Sequence, residues 1–174
     1  NLAVGSTVAI YGYGGLGQLA MRYGAAQGLK VGVVDVSDAK LERAAAAGAS
    51  FTSRGQDSGR TLQKQLGGVD AAIVLTASIE AMEQAVKSVK RTGTIVLVGL
   101  TTRDLTLSVT EIILKGLRIT GSFLGTREDL VAVFRLASES GIRAATETFA
   151  LDQTPELIQR LSRGEISGRA VIRL

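Results

Sequence analysis

Gly12, Gly14 and Gly17 stand in G-x-G-x-x-G register, and Asp35 follows eighteen positions after the last of them. In that pattern the first glycine allows a tight turn, the second lets backbone approach a pyrophosphate, and the third lets a helix sit close against the preceding strand. Each task needs a missing side chain. The anion itself would be held by unpaired N–H groups at a helix N-terminus, backed by roughly half a unit of positive charge from the helix dipole, so no lysine is required. A carboxylate at the position of Asp35 would accept both hydroxyls of an adenosine ribose. Its charge would repel a 2′-phosphate and no arginine directly follows it, so these residues favour NAD over NADP.

The elements that must position these groups are legible around them. Val8, Ala9 and Ile10 form a short apolar run without helical spacing, which predicts a buried parallel strand over Thr7–Tyr11 after a polar lead-in from Asn1 to Ser6. A helix is expected from Gly15 to about Gln27, with Leu16, Leu19, Ala20 and Tyr23 as its apolar stripe. Val31, Val33 and Val34 form the second strand, which stops at Asp35. Strand, turn, helix, strand and acid thus arrive in order within about thirty residues, the context that gives the motif its weight. The same residues are compatible with a βαβ unit whose glycines serve only packing, with Asp35 as a solvated strand end.

The stretch YGYGGLGQLAMRYGAAQGLKVGVVDVSDAKLERAAAAGA, together with TGTIVLVGL and the closing SGRAVIRL, resembles the cofactor-binding half of the medium-chain, zinc-dependent alcohol dehydrogenases. The resemblance covers nearly the whole chain. It implies a doubly wound parallel sheet, a three-layer α/β/α Rossmann fold, in which residues 1–123 bind the dinucleotide and 124–174 match a segment that joins the catalytic half. Gly12, Gly14, Gly15, Leu16 and Gly17 would then hold the pyrophosphate, with Arg169 contacting the same anion. Lys40 would contact the adenosine ribose beside Asp35. Thr76, Ala77, Gly99 and Leu100 would lie beside the nicotinamide. In the resembled enzymes zinc polarises an alcohol or aldehyde oxygen while hydride passes between substrate carbon and nicotinamide.

This chain has no cysteine and no histidine, which excludes the ligand sets zinc prefers. No catalytic constellation of Ser or Thr with Lys stands at recognisable spacing either. Zinc is therefore expected only in a missing N-terminal catalytic half. The first residue is Asn1 rather than methionine, and the chain is expected to be a fragment or an excised domain that binds NAD without oxidising alcohols by itself. An S-adenosylmethionine methyltransferase would also place glycines after strand one and an acid after strand two. A non-catalytic NAD(H)-sensing or assembly module would fit the missing histidine and cysteine.

Composition bounds the remaining classes. The 174 residues, 45% of them hydrophobic, suffice for one domain with a real core and an appendage. Net charge is only +4, the basic residues are scattered and aromatics make up 4%, so a nucleic-acid partner is not expected. No apolar run approaches a membrane span and no leader pattern opens the chain; a cytoplasmic location is expected.

Further strands are predicted over Ala49–Ser53, Val69–Thr76, Thr94–Val98 and Leu117–Ser122, with helices over Ala39–Ala47, Thr61–Leu66, Ile79–Lys90 and Glu111–Lys115. Leu41, Ala44 and Ala45 face inward from the first of these helices, and Ile79, Met82, Val86 and Val89 mark the core face of the third. The Rossmann unit closes near Phe123. A helix over Arg127–Ser138 (stripe Leu130, Phe134, Ala137), a strand over Glu147–Leu151, a helix over Pro155–Arg163 and a strand over Ala170–Leu174 complete the chain. Parted from the catalytic half, this tail exposes apolar surface through which the domain could pair with a copy of itself, and a homo-oligomer is expected.

Overall fold

Apolar runs too short for helices alternate with segments of helical spacing, a pattern that demands crossover connections and a parallel sheet. The computed structural model, which describes residues 2–174, has that arrangement. Asn1, at the head of the expected lead-in, lies outside the described residues. Strands β1 (Thr7–Tyr11), β2 (Lys30–Asp35), β3 (Thr52–Arg54), β4 (Val69–Val74), β5 (Val89–Leu97) and β6 (Arg118–Gly121) form one parallel sheet in the order β3-β2-β1-β4-β5-β6. Helices α1 (Gly15–Ala26), α2 (Asp38–Ala46), α3 (Ser58–Leu66), α4 (Ile79–Ser88) and α5 (Val109–Lys115) connect them. This is the expected doubly wound α/β fold.

β1 shows how the layers are built. Its side chains alternate, so Ala9 and Tyr11 join a core with Leu62 of α3 and Met82 of α4, while Ile10 joins Met21 of α1 and Leu41 of α2 on the other face. Each fully buried residue of this size contributes roughly 1.5–3 kcal/mol relative to exposure. Ile10 pairs with Val33 on one side and Ile73 on the other. The strand order reverses at β1 and β4, and a cleft opens beyond their carboxyl ends.

Three details differ from the sequence reading. On α1 the buried face is Gly17, Gln18, Met21 and Gly24, whereas Leu16 is half exposed. Glycines let the helix approach so closely that they, rather than the leucines, meet the sheet. An added Cβ at Gly24 would stand 2.7 Å from Val31 Cγ2. On α2, Leu41 and Ala44 are buried but Ala45 is exposed.

The third difference is the end of α4, at Ser88 rather than Lys90: Val89 is already extended and pairs with Val69. Two cations and an amide hold that junction. Gln63 Nε2 donates to the carbonyls of Lys87 and Val89 at 3.0 and 2.9 Å, and Lys115 Nζ donates to the same two at 3.2 and 3.4 Å. Lys90 Nζ reaches Asp70 Oδ1 at 3.0 Å. Carbonyls that a helix end would leave unpaired are thereby satisfied. Thr92, with φ of 62°, then absorbs an irregularity in register before β5 continues through Gly93.

Smaller shifts follow the same logic. α3 begins at Ser58 rather than the expected Thr61, and β3 is confined to three residues at the sheet edge. Beyond β6 come α6 (Arg127–Ser140), β7 (Thr146–Ala150), α7 (Thr154–Ser162) and β8 (Arg169–Arg173). β7 and β8 pair in parallel as a separate two-stranded sheet. Thr126 and Asp129 cap α6 reciprocally: Thr126 Oγ1 accepts from the Asp129 amide at 3.1 Å, and Asp129 Oδ2 accepts from the Thr126 amide at 2.8 Å. The expected stripe of α6 is not buried, since Leu130 and Phe134 are 54% and 66% exposed, and Phe123 and Leu124 beside it are exposed too. Among the described residues no helix is long and apolar enough to cross a membrane.

Candidate cofactor site

The glycine turn joins β1 to α1, and each glycine has its own spatial reason. Gly12 takes a φ of 101°, a left-handed conformation that disfavours any side chain, and its amide donates to the Val34 carbonyl at 2.9 Å. An added Cβ at Gly17 would lie 2.0 Å from the Gly12 carbonyl oxygen, so the turn and helix interlock through this position. Gly14, which caps α1 without any side-chain hydrogen bond, differs: an added Cβ would meet nothing within 4 Å. The protein itself does not need a glycine there. The space it leaves at the helix N-terminus has the character of a cradle for an anion.

Asp35 ends β2 beside this turn and is only 7% exposed. Its Oδ2 accepts from the Tyr13 amide at 2.8 Å and its Oδ1 from the Ser37 amide at 3.0 Å. The carboxylate is thus locked in orientation by two backbone donors, and each oxygen keeps a further lone pair for a ligand hydroxyl. Tyr13 itself is buried between α1 and α2, and burial pushes its phenol above the ordinary tyrosine range.

Two contiguous cavities run across the carboxyl edge of the sheet and share Gly12, Asp35, Val36 and Thr76. One, of about 410 Å³, is lined by the whole glycine turn with Lys40, Leu75 and Arg169. The other, of about 550 Å³, lies between β2 and α4 and is walled by Tyr11, Val34, Gly55, Ser78, Ala81 and Gln84 among others. Their sequence suits a dinucleotide: an anion-accepting centre at the helix terminus, a carboxylate where a ribose would turn, and a more apolar chamber beyond. Tyr11 stays a neutral floor, since burial raises its phenol against the opposing effect of hydrogen bonds with Ser58 and Ser88. At the rim, Glu80 is held below the usual carboxylate range by the Ser78 hydroxyl first and by its own backbone amide next.

Of the residues singled out in the sequence, Gly12, Gly14, Gly15, Leu16, Gly17, Asp35, Lys40, Thr76 and Arg169 line one cavity. Arg169 opens β8, and its side chain lies across the α1 N-terminus: a Cβ added at Gly15 would stand 2.9 Å from its Cδ and Nε. The segment preceding it also touches the site, with Gly164 facing Lys40 Nζ. Ala77, Gly99 and Leu100 line neither of these two cavities. Gly99 is packed on the protein's own backbone, since an added Cβ would lie 2.1 Å from the Thr76 carbonyl oxygen, and Leu100 is 75% exposed. The walls of the larger cavity were missed in the sequence. Gly55, whose amide donates to the Asp35 carbonyl at 3.0 Å, and Gln84, which accepts from the Gly59 amide at 2.9 Å, carry no local motif.

The residues present do not suit zinc. There is no histidine or cysteine in the sequence, and among the described residues no cluster of three or more metal-ligating side chains occurs.

Residues 15–139 match the family described as zinc-binding dehydrogenase. An alcohol dehydrogenase of Geobacillus stearothermophilus is 41% identical over 172 residues, which are 98% of this chain and 51% of that protein. The crystal structure of the alcohol dehydrogenase from the archaeon Aeropyrum pernix superposes with a TM-score of 0.92 at 26% identity, covering 99% of this chain and 51% of that one. Acetophenone reductase from Geotrichum candidum, solved in complex with NAD, superposes with a TM-score of 0.85 at 26% identity over 99% of this chain and 49% of its own. The chain spans about half the length of the curated relatives it matches.

Proposed function

Because the chain belongs to the zinc-binding dehydrogenase family, we propose that it is the NAD(H)-binding domain of an oxidoreductase that passes hydride between an alcohol and its aldehyde or ketone. The observation that carries this reading is the pairing of an open cradle at Gly14 with the locked carboxylate of Asp35. In this reading residues 1–123 form the dinucleotide-binding unit, and residues 124–174 belong with the catalytic half. Zinc is assigned to that other half, since nothing in this chain suits it. A methyltransferase and a purely sensory or assembly role are not favoured, because the matched relatives are named alcohol dehydrogenases.

The chain's own contribution is to bind and orient. The amides at the start of α1 and the Arg169 guanidinium hold the pyrophosphate, the latter with a planar fork suited to an anion. Asp35 accepts the two ribose hydroxyls, Lys40 flanks them, and the adenine occupies the larger cavity between Val36 and α4. Thr76, Ala77, Gly99 and Leu100, at the ends of β4 and β5, form the side against which the nicotinamide lies. The cofactor, when bound, supplies the hydride-accepting ring. NAD is preferred to NADP because a 2′-phosphate would meet the fixed negative charge of Asp35. The chain joined to a zinc-bearing catalytic half is expected to reduce NAD with a primary or secondary alcohol, and the chain alone is not. Alcohol oxidation by the chain alone would overturn the division of labour, and no NAD reduction by the joined protein would overturn the assigned reaction.

A further inference from the structure

An arginine stands next to the ribose position yet takes no part in either cavity. Arg54, the last residue of β3, is the register partner of Asp35 across the strand pair. Gly55, which follows it, lines the larger cavity, but Arg54 lines neither. Its guanidinium is drawn aside. Arg54 Nε lies 3.3 Å from Asp38 Oδ1, and Nη2 donates to the Val36 carbonyl at 3.3 Å. Both partners are about two-thirds exposed, at 67% and 63%, so the pair is held only weakly against water.

This arrangement bears on cofactor selection and rests on the reading of the site given above. A guanidinium is the side chain best suited to a phosphate, because its planar fork donates two parallel hydrogen bonds. A 2′-phosphate leaving the ribose beside Asp35 would face the turn from Val36 to Asp38. There it would meet two carboxylates, Asp35 and Asp38, the Lys40 ammonium that lines the smaller cavity, and an arginine whose charge is already engaged. Without Asp38 the same arginine would be available, and the local balance would shift by one positive charge.

We propose that Asp38 is a second cofactor-selecting carboxylate, which disfavours 2′-phosphorylated dinucleotides by holding the Arg54 guanidinium against the first turn of α2. Asp35 acts on the ribose directly; Asp38 acts through Arg54 and is a positioning residue. Its location explains why a basic residue at the end of β3 coexists with a preference for the unphosphorylated cofactor.

The test is calorimetric titration of this chain with NAD and with NADP, for the unaltered protein, Asp38→Asn and the double variant Asp38→Asn/Arg54→Ala. Asp38→Asn is expected to lower the ratio of the NADP to the NAD dissociation constant about threefold, the scale of an exposed ion pair. Removing Arg54 in addition is expected to restore most of the original ratio. An unchanged ratio in Asp38→Asn overturns the proposal, as does a double variant that keeps the whole gain, since the effect would then owe nothing to Arg54. An unaltered chain that does not bind NAD overturns the cofactor reading itself, and this inference with it.

Discussion

Gly14 and Gly17 are three positions apart in one motif, yet alanine at the two should fail in opposite ways. At Gly17 the new methyl group would sit 2.0 Å from the Gly12 carbonyl oxygen and 3.0 Å from its carbon, both backbone atoms that cannot swing aside. Relief requires α1 to move away from β1 by about 1 Å or more, opening the contact of Met21 and Gly24 with the sheet; overpacking of this kind costs up to about 3 kcal/mol. In a domain of this size that corresponds to a fall in Tm of roughly 6–12 °C. At Gly14 the backbone is extended, with φ of −96°, and nothing lies within 4 Å of the added carbon. Alanine there weakens only a helix N-cap, by about 1 kcal/mol at most. Its methyl group would, however, occupy the space assigned to the pyrophosphate, and NAD affinity should fall at least about tenfold, or 1.4 kcal/mol. Thermal melting followed by calorimetric titration separates the two effects. A Gly14→Ala variant that melts normally and still binds NAD as the unaltered protein does would refute the placement of the anion.

Asp35→Ala should weaken NAD binding by about 2–3 kcal/mol through loss of the ribose hydrogen bonds, and should also lower stability by about 1–3 kcal/mol because the Tyr13 and Ser37 amides lose their acceptor; titration and urea unfolding read the two separately. Arg169→Ala should reduce NAD affinity about tenfold while leaving Tm nearly unchanged, since its contacts are with the surface of the α1 N-terminus. Asp70 governs an acid transition. Burial opposes ionisation there, but the Thr7 amide at 2.7 Å and the Lys90 ammonium at 3.0 Å outweigh it and hold the carboxyl below its usual value of 3.8. The stabilisation is therefore fully present above that unfolded-state value and is lost as pH falls through the lower folded-state one. Urea unfolding at neutral and acid pH should show Asp70→Asn less stable by about 1 kcal/mol at neutral pH and nearly matched to the unaltered protein in acid.

What could be read from residues alone was whatever depends on local chemistry. β1, the glycine turn and Asp35 announce themselves because turn geometry, anion binding and ribose recognition each demand a residue type at a fixed offset. The parallel sheet flanked by helices followed from the alternation of apolar runs and helices. The buried face of α1 was misjudged because a count of apolar residues gives glycine no weight, whereas close packing at Gly17 and Gly24 is what turns the helix to the sheet. The end of α4 was placed too late for a related reason. Val89 continues the helical stripe in sequence, but Gln63, Lys115 and Asp70, all distant in the chain, stabilise an extended Val89–Lys90 instead. The close packing of Gly99 on the Thr76 carbonyl, 2.1 Å from an added Cβ, has no local cue either, because β4 and β5 meet only in the fold. The larger cavity draws its walls from β2, α4 and the Gly55 loop, segments that only the fold brings together. The same is true of the ion pair between Asp38 and Arg54.

The central claim is that this chain holds NAD through the α1 N-terminus and Asp35. It is tested most directly by calorimetric titration of the chain with NAD, repeated with NADP and S-adenosylmethionine and with Asp35→Ala. The account predicts saturable binding of NAD, weaker binding of NADP, none of S-adenosylmethionine, and a clear loss of NAD affinity in the variant. Absence of NAD binding at millimolar concentration, or NADP binding tighter than NAD, would contradict it.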